Sequence, residues 1–193
     1  MILSSNRCRI FGDCYGVFEY FLNLQSESTA MNSIDTIKQT YGISQMVMNG
    51  YLSDLSDADL LVRPAEGLNH VAWQLGHLIS SEGNLLEMVA PGAAAQLPAG
   101  FAESHSKENA GSDDASSFLT KAEYFELFQK VQSATFAALD SLSEADLDQP
   151  GPESMKDFCP TVGSLFILIS THVMMHVGQI VPLRRKLDKP VVM

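Results

Sequence analysis

The sequence predicts an all-α fold: four long helices packed as a bundle, with a long connector between the second and the third. Three observations carry that expectation. From Met31 onward apolar residues recur three and four apart instead of alternating, helix starts carry capping signals, and proline pairs punctuate the periodic segments. The first helix opens in the stretch beginning at Met31 and gathers Ile34, Ile37, Tyr41, Met48, Tyr51, Leu52 and Leu55 on one stripe. The second is expected from about Asn69 to Val89, ended by Pro91-Gly92. It turns Val71, Leu75, Leu78, Ile79, Leu85 and Leu86 inward and carries His77 near its middle. The third begins at a capping box, Thr120 with Glu123 three residues on, and lines up Tyr124, Phe125, Phe128, Val131, Thr135 and Leu139. The fourth follows Pro160-Thr161 and extends to about Leu187.

An internal echo organises these helices. The nine residues from Leu52 to Leu60 resemble those from Leu139 to Leu147, and each copy follows a helix. In each, a serine (Ser56 or Ser143) stands three before an aspartate, the mark of a capped short turn. Duplication and the common needs of similar connectors explain the echo equally well. On either account the helices are expected to pair one with two and three with four. Ala90 to Leu119, rich in Ala, Gly, Ser and acid, is long for a loop in a compact domain and reads as a lid or mobile loop.

Length and composition fit one domain, since 193 residues at 46% hydrophobic content can bury a sizeable core. The formal charge of −11 argues against a nucleic-acid partner or an anionic membrane surface. Cys8, Cys14 and Cys159 form no CxxC pair, which fits a reducing cytoplasm and bystander thiols. Residues 1–30 lack a clean apolar stretch with a cleavage site, and are expected to be an extension, disordered or due to a mis-called start, before a domain spanning 31–193. A chain beginning at Met31 is then expected to fold and bind metal. Without the extension 10 basic and 20 acidic residues remain, so the acidity belongs to the domain.

Leu165 to Leu183 carries no charged residue and runs into Arg184-Arg185-Lys186, the outline of a membrane span. His172, His176, Gln179, Ser170, Thr171 and Pro182 oppose that reading, as do the polar faces of the other helices. A buried central helix explains the run more simply, and no membrane partner is expected.

His172 and His176 stand four apart on that helix, one face, close enough to grip a single ion. The bland alternative is a pair of hydrogen-bonded core histidines. His77 on the second helix would complete an open three-histidine site, which zinc, nickel or iron accept. His70, Gln74, His77, Ser81 and Asn84 follow one another at helical spacing, a polar seam that faces either those histidines or solvent; His70 and Gln74 are expected to be exposed. Val173 follows His172, so the zincin glutamate is missing, and no Glu-x-x-His, GxSxG, P-loop or dinucleotide fingerprint occurs. Cys159, beside Pro160 at a helix start, is expected to be passive, and Glu82 lies off the face of His77, which disfavours it as a general base.

NHVAWQLGHLISSE around His77 and THVMMHVGQIVPLRRKL around His172 and His176 resemble the DinB superfamily, also called the DinB/YfiT-like metalloenzymes, over about residues 31 to 193. The resemblance rests on a second-helix histidine within a G-H-L triplet and a later HxxxH followed by Gly178-Gln179. It implies a four-helix bundle, a divalent ion such as nickel or zinc held by His77, His172 and His176, and commonly a homodimer. Relatives in that family include thiol-dependent transferases and an isomerase, so it implies a small-molecule substrate without naming one. The extension and the acidic connector depart from shorter members.

Three neutral imidazoles leave a bound ion its full charge, which makes water or a thiol acidic near neutral pH. Hydrolysis and thiol S-transfer both follow, and the lack of an obvious proton acceptor tilts the choice toward a low-molecular-weight thiol. Gln179, three beyond His176, is expected either to orient a ligand or to serve packing. A non-catalytic metal-binding or stress-associated interaction protein is the alternative.

Overall fold

The computed structural model describes residues 30–192, so the expectations for the first thirty residues lie almost wholly outside the described residues. Four long helices build the fold: α1 (Ser33–Leu52), α3 (Val71–Val89), α5 (Lys121–Asp140) and α7 (Val162–Lys186). Between them lie three single α-helical turns, α2 (Asp57–Leu60), α4 (Phe101–Ser104) and α6 (Glu144–Leu147), and 3-10 turns at Ala115–Ser117 and Glu153–Met155. No strand occurs among the described residues, so the all-α expectation holds.

Helix boundaries follow side-chain chemistry. Thr120 and Glu123 form the expected capping box on α5, and Thr161 with Ser164 forms another on α7. Lys121 Nζ donates to the carbonyls of Leu52, Ser53 and Leu55, which places a cation against the C-terminal end of α1 and the turn that follows it. The echo is a repeated plug: Ser56 with Asp59 and Ser143 with Asp146 each cap one turn whose last leucine, Leu60 or Leu147, is buried.

Packing corrects the expected pairing. α1 packs most extensively on α7, α3 lies against both α5 and α7, and α1 also meets α5. The first and second helices, and the third and fourth, are therefore not the principal neighbours that a hairpin plan requires. The physical reason is the connector between them. Each holds a capped turn anchored in the core by a leucine, long enough to carry the chain past the nearest helix instead of folding straight back. This arrangement brings α3 and α7, the two histidine-bearing helices, side by side.

The connector from Ala90 to Leu119 is not structureless. Its turn α4 buries Phe101 and His105, at 5% and 2% exposure, in contact with the larger core cluster around Leu75, Leu78, Tyr124 and Val177. Arg63 holds its far end by donating to the carbonyls of Ala110 and Ser112 and to Asp113.

α7 meets the length and hydropathy of a membrane span, yet its inner side buries His176 and Arg184. The Arg184 guanidinium donates to both carboxylate oxygens of Asp54 and to the carbonyls of Tyr51 and Pro190, so the buried charge is fully paired. Cys159 is buried, and burial raises its thiol pKa, which keeps it protonated and unreactive.

Candidate metal centre

His77 comes from the middle of α3, and His172 and His176 from successive turns of α7. One ring nitrogen from each lies within 4.8 Å of the others, with ring centroids 5.0–5.6 Å apart. Ligands around a tetrahedral zinc stand about 3.3 Å apart, a spacing that small side-chain rotations would reach from here. Burial lowers the pKa of all three, to about 3 for His176, with added repulsion from Lys107 at His77, from His77 at His172, and from both other rings at His176. At neutral pH the rings are therefore uncharged, the protonation state a metal requires.

The inner side of the cluster is held by α3. Gln74 Nε2 donates to the Asn69 carbonyl, which turns its Oε1 toward His176 Nδ1 at 3.2 Å. That fixes the proton of His176 on Nδ1 and leaves Nε2 with a free lone pair. Trp73, the single tryptophan, stacks on His77 with centroids 4.9 Å apart and planes 7° from parallel, and its indole donates to the Ser106 carbonyl of the connector. His172 makes only ring contacts among the described residues. These donors fit a metal ion: neutral, convergent, and lacking other strong partners for the nitrogens that converge.

The outer side opens on a cleft of ≈ 320 Å³ between α3 and α7, lined by Ser81, Asn84, Leu85, Phe158, Leu168, His172 and Met175. Of the three imidazoles His172 lines this space, and Ser81, which also lines it, stands with its Oγ 3.5 Å from His77 Nε2.

The seam reading needs one correction. His70 and Gln74, expected at the surface, are buried at 0% and 2% exposure. His70 caps α3 by accepting from the Trp73 backbone N–H at Nδ1, while Nε2 donates to the Ser112 carbonyl, so the connector covers it. Gln74 is covered by His176. Gln179 is exposed on α7 and is not among the side chains lining the cleft. Glu82 does lie off the face of His77: it is buried and accepts from Tyr41 and Thr135 hydroxyls, each at 2.6 Å, with burial lifting its pKa to about 7.

One residue of the surroundings had almost no signal in the sequence. His105 donates from Nδ1 to the Phe101 carbonyl and accepts from Tyr124 Oη at Nε2, both at 2.7 Å. It lies flat on Gly76, where an added Cβ would meet its ring at 2.0 Å. Gly76 beside His77 was the one available hint of a close approach.

The fold and this cluster define an all-α protein with a three-histidine centre shared by two helices. The DinB superfamily profile matches residues 41–180, and the chain belongs to that superfamily. No curated protein matches the chain.

Proposed function

We propose that this protein is a metal-dependent enzyme of the DinB type, a four-helix bundle that holds a divalent ion, nickel or zinc, through His77, His172 and His176. The observation that carries the reading is the convergence of those three ligand atoms within 4.8 Å. When bound, the ion supplies the positive charge that makes a thiol or water acidic near neutral pH. The chain's own side chains do the rest. Gln74 holds His176 in one tautomer, Trp73 holds the plane of His77, and the cleft beside His172 admits a small molecule.

No carboxylate lines that cleft to accept a proton. This supports thiol S-transfer, in which a low-molecular-weight thiol arrives as its own nucleophile, over hydrolysis. Gln179 is retained as a candidate for orienting a ligand, and a homodimer working in the cytoplasm on a small-molecule substrate completes the proposal. The open cleft also speaks against the alternative of a non-catalytic metal-binding protein, whose coordination shell would be closed.

Metal analysis of the purified protein tests the reading, with Trp73 fluorescence as a second readout because its ring touches His77. Stoichiometric nickel or zinc, lost in His77→Ala, His172→Ala and His176→Ala variants that still fold, is the expected result. Loss of a chromogenic electrophile is then followed with and without an added bacterial thiol. Equal rates would remove the transferase reading, and a metal-free protein that takes up no ion would remove the enzyme.

A further inference from the structure

The cleft that opens on the triad has a chemical character of its own. Its lining residues, Ser81, Asn84, Leu85, Phe158, Leu168, His172 and Met175, include no charged side chain, in a protein whose formal charge is −11. Two large apolar groups stand at its border with little cover, Phe158 at 71% exposure and Met175 at 61%. An aromatic ring and a thioether so exposed beside a polar pair, Ser81 and Asn84, are placed to clasp a flat or branched apolar group. The volume of ≈ 320 Å³ lies at the small end for ligand sites, room for one ring or a short branched chain.

The directions are also set. Gln74 and Trp73 close the inner side of the triad, while His172 belongs to both the cluster and the cleft and Ser81, on the cleft wall, stands 3.5 Å from His77 Nε2. A ligand entering here meets the imidazoles with one end and leaves the rest against Phe158, Leu168 and Met175.

We propose that this cleft selects substrates with a small, uncharged, apolar body, aromatic or branched alkyl, carrying one metal-seeking head and one hydrogen-bonding group within reach of Ser81 and Asn84. The inference rests on the metal reading above and adds the substrate class. Highly charged molecules are disfavoured, because nothing in the cleft neutralises a second charge and the net charge of the protein repels anions.

The test uses the full-length protein loaded with cobalt(II), whose visible bands report the coordination shell independently of any activity. Three thiols are titrated, with affinities compared per thiolate because the two carboxylates of the last raise its thiol pKa: benzyl mercaptan, 2-mercaptoethanol and mercaptosuccinate. The sulfur-to-cobalt charge-transfer band is expected to give benzyl mercaptan about tenfold tighter binding than 2-mercaptoethanol, with mercaptosuccinate weakest. Phe158→Ala removes an exposed side chain and is expected to erase most of the benzyl preference while leaving 2-mercaptoethanol unchanged. Equal affinities for the three thiols, or a benzyl preference indifferent to Phe158→Ala, overturns the proposal even if cobalt binds. Should no cobalt bind, the metal reading fails by itself, and the cleft is judged on the metal-free protein by NMR titration with benzyl alcohol. Shifts at Ser81, Asn84 and Leu168 then support an apolar-body site, and their absence overturns it.

Discussion

His70 and His105 are buried as deeply as His176, and all three rings are reached through α3, yet the two groups end in opposite chemical states. In the first pair every ring nitrogen has a partner: a backbone N–H and a carbonyl for His70, a carbonyl and a tyrosine hydroxyl for His105. In the triad only His176 Nδ1 has a good hydrogen bond, and the remaining nitrogens turn toward one another. Bringing three imidazoles together without bonds costs desolvation that nothing internal offsets, whereas a bonded core histidine has that cost met locally. Depth alone therefore does not separate the bonded histidines from the candidate metal ligands. The satisfaction of both nitrogens does.

Exchanging the two roles breaks the comparison most sharply. His176→Ala is expected to abolish metal binding with little loss of stability in the metal-free protein, because it removes a ring in an unfavourable setting. His105→Ala is expected to do the reverse, costing about 2–4 kcal/mol of unfolding free energy through a cavity and an orphaned Tyr124 hydroxyl and Phe101 carbonyl. Paired urea melts and metal analysis decide it. Equal destabilisation by both variants would mean that the triad is a structural cluster too.

Gly76 lets the packed pair be attacked without substituting any of the histidines. A Cβ there would lie 2.0 Å from the His105 ring, which cannot retreat because Phe101 and Tyr124 hold both its nitrogens. Gly76→Ala is expected to cost about 3 kcal/mol and to loosen the connector, read as faster amide exchange at Phe101–Ser106. Metal affinity in the variant is expected to fall less than stability. A neutral result would show that His105 finds another seat.

These two groups also mark how far the sequence could be read. The triad was legible because a four-residue step on one helix and a histidine on another are local patterns with a definite chemical use. The helices were legible for the same reason, down to the capping boxes at Ser56, Thr120 and Ser143. What stayed hidden depended on where distant segments land. His70 and Gln74 follow the polar spacing of a solvated face, and only the connector and α7 arriving over them make them buried. The hairpin pairing failed similarly, since spacing along a helix says nothing about which neighbour it meets. His105 sat in a stretch that composition marks as loop, where no periodicity announces a buried side chain.

Glu82 is a third station on α3, satisfied like the packed pair but titrating in the opposite sense. Its pKa is raised to about 7 in the fold from an ordinary 4.5, so the folded state holds the proton more tightly than the unfolded chain. Its contribution is thus fully present below about pH 4.5 and lost as pH rises through 7. Glu82→Gln keeps acceptor and shape without the charge. The variant is expected to match the parent near pH 5 and to exceed it by about 2–3 kcal/mol at pH 8.5 in urea unfolding. Parallel stability curves from pH 5 to 8.5 would show that the Tyr41 and Thr135 hydroxyls already stabilise a buried carboxylate.

The smallest expected effect probes the one point where packed and open chemistry meet. Gln74 is bonded through both its nitrogen and its oxygen, like the packed pair, but one of its bonds orients a ring of the triad. Gln74→Leu keeps the volume, removes the acceptor and frees the His176 ring to rotate or change tautomer. Metal affinity is expected to drop about 10–100-fold while the metal-free protein loses no more than about 1 kcal/mol, since Gln74 makes only two neutral hydrogen bonds. Gln74→Glu separates positioning from packing. A carboxylate accepts from Nδ1–H more strongly and makes Nε2 a better donor to the metal, but it cannot donate to the Asn69 carbonyl, so affinity is expected to recover part of what Leu loses. If Leu and Glu weaken binding equally, the contact with His176 is mere packing, and the triad is oriented by its helices alone.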